Sequence, residues 1–184
     1  MDQRFNALRK VICDTPSEMA CFRQLVVNSV MATDVMDKDL KAIRDARWAV
    51  AFQQSGPESR EDINRQITIL VEHLMQASDI AHTMQHWHVY HKWNEKLFDE
   101  LCVAYHHGRA ENDPSEFWYE AELSFFNFVV VPLATKLHEC GVLGGSSHEY
   151  LDCANKNRAE WERRGKEVVT LMLERSKTNC TEIQ

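Results

Sequence analysis

Glycine and proline are scarce in this chain, six and four among 184 residues. That scarcity excludes a loop-rich scaffold, and the absence of an Asn-Gly hairpin signal or of strand-like alternation argues against a β fold. Six cysteines (13, 21, 102, 140, 153 and 180) form no CxxC pair and follow no regular spacing. They read as reduced, mostly buried thiols rather than a disulfide framework or a zinc ribbon. No apolar run approaches membrane-spanning length; the longest is FVVVPLA at 128–134. The opening MDQRFNALRK lacks the apolar core of a signal peptide. Positive charge is also short: the net formal charge is −7, so a surface that tracks nucleic-acid phosphates has no global electrostatic support.

What the chain does have is helical punctuation. Thr15-Pro16-Ser17-Glu18 places a capping threonine, a proline at the first helical position and a glutamate that closes a capping box. Met19, Phe22, Val26 and Val30 follow at helical spacing. Leu40, Ile43, Arg47 and Val50 mark a second helix, ended by Ser55-Gly56-Pro57, and Ile63, Ile67, Leu70 and Leu74 a third. A fourth is expected from about Thr83 to His107, with Trp87, Tyr90, Leu97, Leu101 and Ala104 as its apolar stripe. Asp113-Pro114-Ser115-Glu116 opens a fifth, apolar on most sides, kinked at Pro132 and ended by Gly141. Ser146 with Glu149 caps a last helix through Tyr150, Trp161, Val168 and Met172. The expectation is an all-α fold, one domain over residues 1–175 and a disordered tail over 176–184.

The stretch ASDIAHTMQHWHVYHKWNE at 77–95 concentrates four of the nine histidines. His82 and His86 share a helical face, but Thr83 stands where a zinc protease has its glutamate, so the HExxH reading fails. His86 and His88 lie about 200° apart at roughly 100° per residue, which argues against a self-contained metal site. The aromatics among these histidines resemble a base-stacking surface only weakly, given the net charge. His86, His88 and His91 therefore read as helix-surface or packing residues. Asp79, between two helical patterns, is either an N-cap or a carboxylate aimed into a cavity.

Four segments, ATD at 32–34, ASDIAH at 77–82, YHKWNEKLFDE at 90–100 and AELSFFNFVVVPL at 121–133, resemble in order and spacing the catalytic domain of class I 3′,5′-cyclic nucleotide phosphodiesterases. The wider form is similar to versions in diatoms and other protists. The resemblance runs from about residue 16 to about 164 and implies a multi-helix HD-type fold, of which this chain would be the C-terminal part. It further implies hydrolysis of cAMP or cGMP to the 5′-monophosphate by a metal-activated hydroxide, with zinc and magnesium or manganese as cofactors. Carried over by position, Asp79 matches the aspartate that ligates the buried metal and Asp34 a pocket-adjacent aspartate, with Val35 in place of a methionine. Tyr90 and Trp93 match scaffold aromatics. Leu97 and Leu101 match apolar walls of the purine pocket, and Phe125 the phenylalanine that stacks on the base.

Two pocket positions depart from the family: His82 stands for an asparagine and Glu122 for a glutamine. An amide both donates and accepts, whereas an ionised carboxylate only accepts. The family's metal histidines and its acid histidine belong upstream, yet the first histidine here is His73. No catalytic residue is therefore assigned, and the metals are not expected to be retained by this chain alone. The expected ligand is a cyclic nucleotide, with neither DNA nor RNA nor a membrane as partner. Self-association through an uncovered apolar face and a cytoplasmic location complete the expectation, with any membrane anchor belonging to a parent protein. The competing reading is a non-catalytic helical module that binds a partner or a nucleotide.

Overall fold

A computed structural model describes residues 5–35, 37–52 and 59–181. It is helical throughout, with no strand among the described residues, and divides into two compact units, Met1–Asp79 and Ile80–Gln184. The all-α expectation holds.

The first unit carries α1 (Asn6–Ile12), α2 (Pro16–Ala32), α3 (Lys38–Phe52) and α4 (Arg60–Asp79). Local chemistry sets their starts. Thr15 Oγ1 accepts from the Glu18 amide at 3.2 Å while Glu18 Oε2 accepts from the Thr15 amide at 3.0 Å, so the capping box forms as the sequence implies. Those backbone donors hold the Glu18 carboxyl below its usual pKa. Asp37 caps α3 by accepting from the Leu40 amide, and Ser59 caps α4 by accepting from the Asp62 amide. Ser55, Gly56 and Pro57, expected to break the second helix, lie outside the described residues.

Both α2 and α3 pack on α4. The inward positions differ from the apolar stripes expected. In α3 they are Arg44, Trp48 and Ala51, and in α4 Ile69, Glu72, His73 and Gln76. Val26, Val30, Ile43, Val50, Ile63 and Ile67 are exposed instead. The interior is organised by Trp48, which lies 4.2 Å from Phe52 and 4.5 Å from His73 between ring centroids, and by two ionic side chains. Arg44 donates to the Asp34 carbonyl at 3.1 Å, tying α3 to the end of α2. Arg47 donates to Glu72 Oε2 at 2.8 Å, and Glu72 Oε1 is buried with no hydrogen-bond partner among the described residues.

The second unit holds a 3₁₀ turn (Ala81–Met84), α5 (Trp87–His106), a 3₁₀ turn (Pro114–Glu116), α6 (Trp118–Phe125), a π-turn (Phe126–Val130), α7 (Val131–Glu139) and α8 (Ser146–Thr181). Residues 182–184 of the expected tail lie outside the described residues. Packed along α8 are α5, α6, α7 and the first 3₁₀ turn. Trp161, Tyr90, Phe98, Phe126 and Met172 form the core, and the Tyr90 ring meets Phe126 at 5.2 Å and Trp161 at 6.0 Å, both edge-on.

Three expectations are corrected here. The helix anticipated from Thr83 starts at Trp87, because buried Asn157 donates to the carbonyls of Thr83 and Gln85 and holds them in a tighter turn. The buried stripe of α5 is Tyr90, Asn94, Phe98 and Cys102, with Asn94 tolerated because Trp118 Nε1 donates to its Oδ1 at 3.2 Å. The fifth helix is four pieces, the 3₁₀ turn at Pro114–Glu116, α6, the π-turn and α7. Its proline-bearing stretch absorbs the missing N–H of Pro132 in the π-turn, where the Val131 amide reaches the Phe126 carbonyl five residues back. Phe126 and Val130 are buried there, while Phe117 and Phe128 are exposed.

Gly141, at φ +69°, follows α7 in the left-handed region that favours glycine, so the expected stop is kept. Gly165 serves close approach: a Cβ on it would lie 2.8 Å from the Tyr119 ring. At the start of α8 the buried Ser147 hydroxyl, not Ser146, bonds backbone, donating to the Gly144 carbonyl. Among the cysteines whose side chains are described, Cys13, Cys102 and Cys153 are buried thiols.

Candidate functional site

In the first unit the two candidate carboxylates sit at helix ends. Asp34 follows α2, is exposed, and accepts from the Asp37 amide at 3.3 Å. Asp79 is the last residue of α4 and exposed. It is thus a helix C-terminal residue, and the N-cap alternative falls away. A carboxylate there faces the negative end of the helix dipole, and the last turn carries no basic residue to offset it.

In the second unit, α5 and α6 bring the remaining candidates into place. Glu122 and Phe125 are one turn apart on α6, as are Leu97 and Leu101 on α5. Leu97 is 42% exposed, Leu101 and Phe125 are half-buried, and His82 lies half-buried in the 3₁₀ turn. Glu122 is only 8% exposed. The Tyr90 hydroxyl donates to Glu122 Oε2 at 2.7 Å, which links α5 to α6 through a buried pair. Burial pushes the Glu122 carboxyl up to about 7, and the Tyr90 donor pulls against that rise. Burial and the adjacent carboxylate push the Tyr90 phenol well above its ordinary value.

Sequence reasoning placed Tyr90 only as a scaffold aromatic. Its contact with Glu122 spans 32 residues, a separation for which spacing rules carry no signal. The contact of the buried Glu72 with Arg47, 25 residues away, carries no spacing signal for the same reason. The histidine-rich stretch yields surface and packing roles: His86 and His88 are exposed with rings 6.1 Å apart, and His91 lies 5.8 Å from the Trp87 ring. A cavity of about 490 Å³ lies between the start of α5 and α8, lined by His86, Trp87, Cys153 and Asn157 among others. It holds none of the candidate residues. Its cations are matched along α8, Lys156 by Asp152 and Arg163 by Glu160.

Among the described residues no three His, Cys, Asp or Glu side chains come together as a metal site. Asp79 by itself does not fit a divalent ion, which draws on several donors.

Comparison with known families is specific: residues 2–143 match the 3′5′-cyclic nucleotide phosphodiesterase family. The chain belongs to that family, whose reaction is phosphodiester hydrolysis of a cyclic nucleotide. The match runs across both compact units. No curated protein and no solved structure matches the chain.

Proposed function

We propose that the chain is the C-terminal portion of a catalytic domain, reaching to residue 175, that hydrolyses cAMP or cGMP to the 5′-monophosphate. The observation that carries this is the family match over residues 2–143. Glu122 and Phe125, one turn apart on α6, support it as a polar group and a stacking face for one purine. In this reading Leu97 and Leu101 are apolar walls, His82 replaces a pocket asparagine, and Asp34 keeps only its match by position to an aspartate of the family.

Asp79 is the carboxylate this reading gives to the metal pair, zinc with magnesium or manganese. Standing alone, it leaves hydrolysis to a more complete catalytic domain. The absence of a three-donor cluster among the described residues supports the second reading, a helical module that binds a nucleotide or a partner without turnover. The net charge of −7 argues against DNA or RNA. No described helix is long and apolar enough to cross a membrane. We place the chain in the cytoplasm, and the exposed apolar residues of α2, α3 and α4 support self-association, which sedimentation reads directly.

The deciding experiment incubates the chain with cAMP and cGMP in the presence of zinc and magnesium or manganese, following 5′-monophosphate and equilibrium binding. Turnover lost in Asp79→Asn supports the catalytic reading. Binding without turnover favours the module, and neither binding nor turnover refutes both.

A further inference from the structure

We infer that the cavity between α5 and α8 takes a nucleoside monophosphate, with the phosphate at the start of α5, the base against Trp87 and a base N–H donated to Asn157 Oδ1. At about 490 Å³ the cavity has the size of a ligand pocket. It lies within the second unit and holds none of the α6 candidates, so it is separate from the base site proposed above.

Three features of the lining point to that chemistry. The first is Asn157, only 1% exposed. Its Nδ2 donates to the carbonyls of Thr83 at 2.9 Å and Gln85 at 2.7 Å. These bonds fix the orientation of the amide, because a flip would set Oδ1 against two acceptors. Oδ1 itself accepts no hydrogen bond among the described residues. Among those residues only Glu72 Oε1 is a sealed side-chain oxygen without a partner, so Asn157 Oδ1 opens on the cavity that Asn157 lines. An acceptor at such depth is costly to leave unpaired, and a ligand N–H satisfies it.

The second feature is the start of α5. His86 supplies no side-chain cap, and the amides of Trp87 and His88 find no acceptor among the described residues. His86 and Trp87 both line the cavity, so these donors and the positive end of a 20-residue helix favour an anion there. From α8, Lys156 and Arg163 stand two turns apart on the same wall. Asp152 and Glu160 hold them only through exposed pairs, which contribute little and yield to a phosphate.

The third feature is Trp87, half-buried and set by Tyr90 and Trp161 at 5.5 and 6.4 Å between ring centroids. An indole already fixed in place gives a base a stacking surface at little ordering cost. A free phosphate leaves Trp87 and Asn157 unused, and a nucleoside leaves the start of α5 unused. A nucleoside monophosphate engages all three, and hydrolysis of a cyclic nucleotide releases one.

The test is calorimetric titration of the full chain with AMP. In the His86→Asp variant the new carboxylate caps α5 and repels a phosphate, so the fold is kept or made firmer while the site is closed to an anion. AMP affinity should fall at least about tenfold in that variant, with no loss in a thermal melt. N6,N6-dimethyl-AMP, whose base carries no N–H, should bind the unaltered chain about tenfold more weakly than AMP. The inference is overturned if AMP does not bind at millimolar concentration, or if His86→Asp binds it as tightly as the parent. It is equally overturned if adenosine, inorganic phosphate or the dimethyl derivative matches AMP. Binding lost in Phe125→Ala but kept in His86→Asp would place the nucleotide at α6, which overturns this site and leaves the base-site reading standing.

Discussion

Replacing Glu122 by glutamine should change the pH dependence of stability in a way that can be calculated. A carboxyl moved from its ordinary 4.5 to about 7 on folding opposes folding by about 3 kcal/mol once both states are ionised, at about 1.4 kcal/mol per pH unit. The sign follows from proton counting. Below about pH 4.5 Glu122 is protonated in both states and opposes nothing. Between about pH 4.5 and about pH 7 the unfolded chain has released the proton and the folded chain still holds it, so stability falls as pH rises. Above about pH 7 the loss is complete. Glu122→Gln abolishes this slope. Its amide oxygen still accepts from the Tyr90 hydroxyl, as the protonated carboxyl does. The variant should therefore be more stable near pH 8, by about 3 kcal/mol, and nearly equal to the parent near pH 4.5. Urea unfolding at several pH values, followed by tryptophan fluorescence, measures the difference. Four of the five tryptophans lie in the second unit, where Trp161 sits 6.0 Å from Tyr90. The lowered pKa values of Glu18, Asp113, Asp152 and Glu160 are common to both proteins and cancel. Parallel stability curves for the two proteins would refute the buried, raised carboxyl.

Three further outcomes are expected. Asp79→Asn removes an exposed carboxylate from the negative end of α4 and should stabilise the chain by about 0.5 kcal/mol in thermal or urea melts; a loss of stability would show Asp79 to have a structural partner. Arg47→Ala leaves the Glu72 carboxylate buried without its cation and should cost about 2–3 kcal/mol, less than a fully buried pair because Arg47 is partly exposed. In the same urea assay Glu72→Gln should be milder. Gly165→Ala adds a Cβ 2.8 Å from the Tyr119 ring, so it should destabilise by about 1–2 kcal/mol despite the better helix propensity of alanine, and Tyr119→Ala should relieve that loss.

Helix starts and stops were legible because they are local chemistry. The Thr15 box and the Gly141 stop each depend on groups within a few residues. Which face turns inward was less legible. In α3 the sequence places Ile43 and Val50 on one stripe, yet Arg44 and Trp48 are inside, one position further round. Rotating a helix by a single residue moves its face about 100°. Partners remote in sequence decide that rotation: Glu72 for Arg47, His73 for Trp48, Trp118 for Asn94. The candidate site divides along the same line. Family resemblance named Glu122 and Phe125 as candidates, but the raised pKa of Glu122 depends on burial and the bond to Tyr90, neither of which is visible in the residue types alone.

The π-turn at Phe126–Val130 makes the orientation of α6 depend on one amino acid of chain length. Each extra residue in such a turn advances everything beyond it by about 100° compared with an uninterrupted helix. Glu122 can therefore face Tyr90 while Leu133, Ala134 and Leu137 of α7 are buried too. Removing a single residue from the turn would leave every side chain of the site present in the sequence and aim the carboxyl elsewhere. For this stretch, chain length is as much a determinant of where the Glu122 carboxyl points as residue identity.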